Sequence, residues 1–172
     1  MIREGGEKNM TDNNLHEVIV TRIFDAPIEE IWSYWNDAEK FKKWWGPDNF
    51  DCPTAKLDFR EGGKSLVSME SKQFGFPEQF SILEYTKIVP MELIEYVHNM
   101  ADKDGNKIDP TTIGMPADFP QDVKTVAIFK ERDGKTEMTV TEYMPADTSM
   151  LENAEKGLNQ SIDKMVKAVK NR

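Results

Sequence analysis

Apolar positions recur along this chain at two spacings, and the spacing changes at identifiable breaks. Ile28, Ile31, Trp32 and Trp35 fall at helical intervals and put one apolar stripe on a short helix. Ala26-Pro27 followed by Glu29 and Glu30 marks its start, because proline suits a first helical turn and acids there complement the helix dipole. Phe41, Trp44 and Trp45 form a second, shorter stripe. Between the stripes, Asn36 and Asp37 favour side-chain bonds to the local backbone, which predicts a break with Asp37 as the next N-cap. Gly46-Pro47 ends the second helix. Segments this short are unstable alone in water and must be held by something larger.

The other spacing supplies it. Leu15 to Phe24, L-H-E-V-I-V-T-R-I-F, is rich in β-branched residues and predicts a first strand with both faces partly covered. After Pro47, N-F-D-C-P-T-A-K-L-D-F-R alternates at Ala55, Leu57 and Phe59 and predicts a half-buried strand. Turns at Glu61-Gly62-Gly63-Lys64, at Phe74-Gly75-Phe76-Pro77 and at Val89-Pro90-Met91-Glu92 separate three further strand-like runs. In the last of these, L-I-E-Y-V-H-N-M, the phase free of a carboxylate is Ile94, Tyr96 and His98, which predicts that phase as the interior one. Residues 99–122 are too long for an ordinary hairpin loop and predict either a cover over an opening or a mobile segment. Two more strands flank the tight turn Arg132-Asp133-Gly134-Lys135.

A long helix closes the chain. Leu151, Ala154, Leu158, Ile162, Met165 and Val169 form its apolar stripe, and Ser149 with Glu152 has the spacing of a capping box. Lys164, Lys167 and Lys170 suit the negative end of the dipole. Gly157 costs such a helix about 1 kcal/mol relative to alanine, which points to close packing or to room for a ligand. The order of elements predicts an α+β protein: a curved antiparallel sheet of about six to seven strands, two short helices, and a long C-terminal helix gripped by the sheet, with a hollow between them.

Composition narrows the function. At 172 residues, the chain fits one domain, 15–172, after a flexible tail at 1–14. A net charge of −9 opposes approach to nucleic acid or anionic lipid. No apolar run is long enough for membrane insertion. The start lacks the apolar segment of a signal peptide, so a cytoplasmic location is the expectation. Cys52, the single cysteine, allows no internal disulfide and has no basic sequence neighbour to activate it as a nucleophile. Two separated histidines and one cysteine give no metal spacing, and glycine motifs for phosphates or dinucleotides are absent, so neither metal nor cofactor is expected.

F-D-A-P-I-E-E-I-W at 24–32, F-K-K-W-W-G-P at 41–47, E-G-G-K at 61–64 and Y-T-K-I-V-P at 85–90 resemble the START-like, helix-grip (SRPBCC, Bet v1-like) superfamily. Within it they resemble the family related to the C-terminal domain of the Hsp90 ATPase activator, over roughly residues 15–170. The resemblance implies a cavity under the last helix for a hydrophobic or amphipathic small molecule, since relatives include lipid carriers, hormone receptors and polyketide cyclases. It also implies a chaperone or other protein as an alternative partner, in a monomer or homodimer linked to stress response. Leu158 stands where the family often has tryptophan after the glycine, and the 99–122 segment is longer than usual; both reshape the cavity.

Stripe phase and resemblance together nominate Trp32, Trp35, Trp44, Phe59 and Tyr96 as lining residues, with Leu158, Ile162 and Met165 from the last helix. Each indole N–H needs a partner that a polar ligand head could supply. Trp44 and Trp45 are adjacent, which predicts that one of them is partly exposed at the entrance. His98 is the inward candidate for a pocket acid or base, against the commoner role of a structural histidine. Glu142 shares the phase of Met138 and Val140 and would join His98 as a polar floor; the plainer expectation leaves it in solvent near a strand end. Three functions follow: a small-molecule binding protein, a co-chaperone-like interaction module, and a cyclase or hydrolase using His98 and Glu142. The residues favour binding over catalysis.

Overall fold

A computed structural model describes residues 14–172, so all of the expected tail except Asn14 lies outside the described residues. Asn14 is already tied to the fold, its carbonyl accepting the Ala146 N–H at 2.9 Å. Seven strands form one antiparallel sheet in the order β1-β7-β6-β5-β4-β3-β2. They are β1 Leu15–Phe24, β2 Ala55–Lys56, β3 Lys64–Ser71, β4 Phe76–Val89, β5 Leu93–Ala101, β6 Val123–Arg132 and β7 Lys135–Pro145. Helices α1 (Ile28–Asn36) and α2 (Ala38–Phe41) follow β1, and α3 (Leu151–Lys170) closes the chain. Register shifts at Met69/Ser71 and Tyr85/Lys87 bend β3 and β4, so that the sheet curls toward the helices.

Local chemistry sets the breaks. Asp37 caps α2 by accepting from the backbone N–H groups of Glu39 and Lys40 at 3.0 and 3.1 Å. Asp133 and Gly134 both have positive φ, as a tight hairpin between β6 and β7 demands. The run 50–60 is not the extended strand its alternation predicts. Pairing is confined to Ala55–Lys56 plus a bridge between Asp51 and Glu70, because buried serines of β3 intercept the neighbouring backbone. Ser68 Oγ accepts the Thr54 N–H and Ser65 Oγ accepts the Asp58 N–H, both at 3.0 Å. Strand β1 is covered on one face only: Val18, Val20 and Phe24 are buried, whereas Leu15, Ile19 and Ile23 face outward.

Two further expectations change. Strand β5 continues to Ala101, so the long connection starts at residue 102 and contains a 3₁₀ turn at Pro110–Ile113. Ser149 does not cap α3; the N-cap is Met150, and Ser149 gives its N–H and hydroxyl to the Asp118 carboxylate at 2.7 and 2.8 Å. The hydroxyl has been taken by the long connection, which is thereby fastened to the start of the helix.

Candidate functional site

Helix α3 has two functional halves. Ile162, Met165 and Val169 are buried in the main core, which also holds Trp32 and Phe129. Ala154, Gly157, Leu158 and Ser161, toward its N-terminal end, instead roof a cavity of about 490 Å³ whose floor is the inner face of the sheet. That volume lies in the range of small-molecule pockets. Residues Met115, Phe119 and Pro120 of the long connection form one side of the cavity, so the connection covers an opening.

The opposite wall is built by α1 and the segment after α2. Trp35 and Trp44 pack with ring centroids 4.7 Å apart, and Trp45 meets Trp44 at 5.7 Å. Trp44 is anchored, its Nε1–H donating to the Tyr34 carbonyl at 2.8 Å. The expectation that one of Trp44 and Trp45 lies exposed at the entrance is corrected: they are 1% and 9% exposed, because Phe41 stacks on Trp45 at 5.1 Å. Lys164 secures the turn beyond them, donating to the carbonyls of Gly46 and Phe50 at 2.9 and 3.1 Å. It serves the site's frame rather than the helix dipole, and burial lowers its pKa.

Trp35, Trp44, Tyr96, His98 and Leu158 line the cavity, as does Glu142. Trp32, Phe59, Ile162 and Met165 do not. Trp32 lies one helical turn before Trp35 and packs edge-on against Phe59 at 5.6 Å and Phe129 at 5.2 Å. Phe59 in turn meets Tyr85 at 5.1 Å. These side chains fill the far end of the grip with solid core. Trp45, Phe50, Phe76, Met69 and Met100 are lining residues that the sequence reading did not nominate. Phe50 lies outside regular elements, Trp45 lies beyond the end of α2 at Phe41 although the second stripe contains it, and Met100 continues the inward phase of Ile94, Tyr96 and His98 along β5.

Some polar atoms around the site stand without partners among the described residues: the Nε1 atoms of Trp35 and Trp45 in the wall and Nε2 of His98 on the sheet are buried and make no hydrogen bond. Register places Tyr96, Thr125 and Glu142 in one row across β5, β6 and β7, with His98 one inward position further along β5. His98 and Glu142 border the cavity and are half-buried, yet the surrounding walls remove them from bulk water. Burial raises the Glu142 carboxyl to about 7 and lowers the His98 imidazole to about 4. Near neutrality the histidine is therefore uncharged and the glutamate is poised between its two forms. Burial also raises the Tyr96 phenol, with the Glu142 charge adding to it. Cys52 is excluded from nucleophilic work, since burial pushes its thiol up to about 11.

Comparison with known proteins gives a consistent answer. A solution structure of a protein from Arthrobacter aurescens aligns with a TM-score of 0.76 at 20% identity, covering 94% of this chain and 89% of that one. A Staphylococcus epidermidis protein aligns at 25% identity and a TM-score of 0.68, covering 90% of each chain. The AHSA1 protein from Silicibacter pomeroyi aligns at 18% identity and a TM-score of 0.70, covering 90% of this chain and 98% of its own. Curated proteins gave no match to the sequence. Likeness at these identities speaks to the helix-grip fold. The family model for activator of Hsp90 ATPase homolog 1-like proteins matches residues 25–170, and the chain belongs to that family.

Proposed function

We propose that this protein binds a small hydrophobic or amphipathic molecule between the sheet and the first half of α3. The observation that carries the reading is a cavity of about 490 Å³ walled by Trp35, Trp44, Trp45 and Phe119, with Glu142 and His98 among its few polar groups. A mostly apolar hollow of that size with a small number of polar groups is the usual form of a small-molecule site. The aromatic wall would take the ligand's apolar body. A cytoplasmic location accompanies this reading, and the free, buried thiol of Cys52 is compatible with a reducing compartment.

The test is titration with N-phenyl-naphthylamine, an uncharged dye that brightens in apolar surroundings. The expected outcome is saturable binding with a Kd on the order of micromolar, lost when Gly157→Leu fills the roof. Unchanged binding by that variant, or no binding by the parent chain, would refute the reading.

Family membership favours a second reading, a module that acts on an Hsp90-type ATPase. Ile19, Ile23 and Ile128 on the outer face of the sheet offer apolar contact surface for it. Stimulated ATPase turnover that survives Gly157→Leu would separate this role from ligand binding.

A further inference from the structure

The charge distribution inside the cavity is one-sided. No lysine or arginine is among its lining residues, and Glu142 is the lining group whose charge is available near neutral pH. Its carboxyl sits there with burial as the cause of its raised pKa, and no hydrogen bond or cation from the described residues offsets the loss of water. Trp35, Trp44 and Trp45 line the same cavity and supply an apolar aromatic wall rather than a counter-charge. The chain's net charge of −9 draws cations toward the molecule and repels anions.

We infer that the cavity selects lipophilic amines, binding the protonated nitrogen at Glu142 and the apolar body against the tryptophan wall. This rests on the reading that the cavity binds a small amphiphile, and it narrows the class. A fatty or aromatic carboxylate would bring a second anion to an uncompensated buried carboxylate. A neutral alcohol would gain the apolar contacts alone. An ammonium supplies the missing counter-charge, holds Glu142 ionised, and so lowers that carboxyl's pKa on binding.

Affinity for an amine must then rise with pH as Glu142 ionises. The titratable groups facing Glu142 are His98 and Tyr96 of β5. The α3 face presents Asn153, Ala154, Gly157, Leu158 and Ser161, none of which titrates. The long connection contributes Met115 and Phe119, and β1 pairs Val18 with Glu142, again without charge. His98 stays neutral down to about 4 and Tyr96 is raised, so a change of affinity between about pH 5.5 and pH 8 reports Glu142.

The experiment is calorimetric titration of the full chain with naphthylethylamine, naphthylethanol and naphthylacetate, which share one aromatic frame. At about pH 8 the amine should bind about tenfold tighter than the alcohol, and the carboxylate weakest of the three. The amine's lead should shrink at about pH 5.5 while the alcohol's affinity holds. In Glu142→Gln, checked for folding by its melting transition, the amine should fall to the level of the alcohol. Should that variant fail to fold, the pH profile of the unaltered chain tests the same carboxylate. Carboxylate binding as tight as amine binding, or an amine lead that survives both acid and Glu142→Gln, would overturn the inference. Equal binding of all three would overturn it and leave the cavity reading standing, whereas binding of none would remove both.

Discussion

Glu142 and His98 are displaced from their ordinary pKa values in opposite directions by the same cause, and their effects on stability partly offset. The folded state holds a proton on Glu142 up to about pH 7, whereas the unfolded chain releases it near the ordinary value of 4.5. Stability from this group is therefore fully present below that lower value and is lost as pH rises through about 7. His98 does the reverse: its folded pKa of about 4 lies below 6.5, so its contribution is present above 6.5 and lost as pH falls through about 4. Between these limits one group retains a proton that the other surrenders, and the pair leaves stability nearly flat. Glu142→Gln should raise stability at about pH 8 by an amount up to about 3 kcal/mol, and the gain should vanish below about pH 4.5. Thermal melts of both proteins across pH check this, and a variant less stable than the parent at pH 8 would contradict it. The inward phase of His98 was legible in the alternation along β5, whereas the plainer expectation for Glu142, solvent near a strand end, is corrected by its place in the cavity lining. The desolvation of both was not legible, because it depends on walls contributed by α1, α3 and the long connection.

Helix α3 shows what periodicity can and cannot resolve. One stripe runs from Leu151 to Val169, yet its C-terminal half packs into the main core, while Leu151, Ala154 and Leu158 pack on a small second cluster of Val18, Val123 and Met144 and the last two also border the cavity. The stripe alone nominated Ile162 and Met165 together with Leu158, although only Leu158 faces the cavity. Gly157 decides between the two meanings its position allows. A Cβ placed there would come no nearer than 3.9 Å to Pro47 Cβ, so the glycine leaves room rather than permitting close packing. Gly157→Ala should accordingly stabilise the protein by up to about 1 kcal/mol through helix propensity, measured by denaturant titration. A loss of stability would show that the backbone needs glycine for another reason. Where a single side chain meets its own backbone, as Asp37 does in capping α2, the sequence sufficed. Ser149 departs from its capping-box spacing because a residue 31 positions away in sequence, Asp118, competes for it.

At the scale of the whole molecule, the connection between β5 and β6, which forms one side of the cavity, is fastened to the entry to α3. The hold is local: Thr148 Oγ1 donates to the Asp118 carbonyl at 2.7 Å and Ser149 binds the Asp118 carboxylate. Asn99 and Lys107 both donate to the Asp122 carboxylate, at 3.1 and 2.8 Å, and secure the other end. Asp118→Ala should release the connection, seen as faster amide hydrogen exchange over residues 112–120 and faster dissociation of bound dye, with the sheet's exchange unchanged. Exchange that rises equally across the sheet would mean a global loss of stability instead.

Local rules determined the parts of this protein. Helical spacing around the tryptophans, alternation along the strands, the Asp-Gly turn and the long final stripe are consequences of neighbours in sequence, and they were enough to order the elements into a helix grip. Only the tertiary structure decided where that grip is solid and where it is hollow. Void volume depends on how far apart packed elements stand, and no single element's periodicity records that distance: Trp32 and Trp35 share a stripe, but one ends in core and the other in the cavity wall.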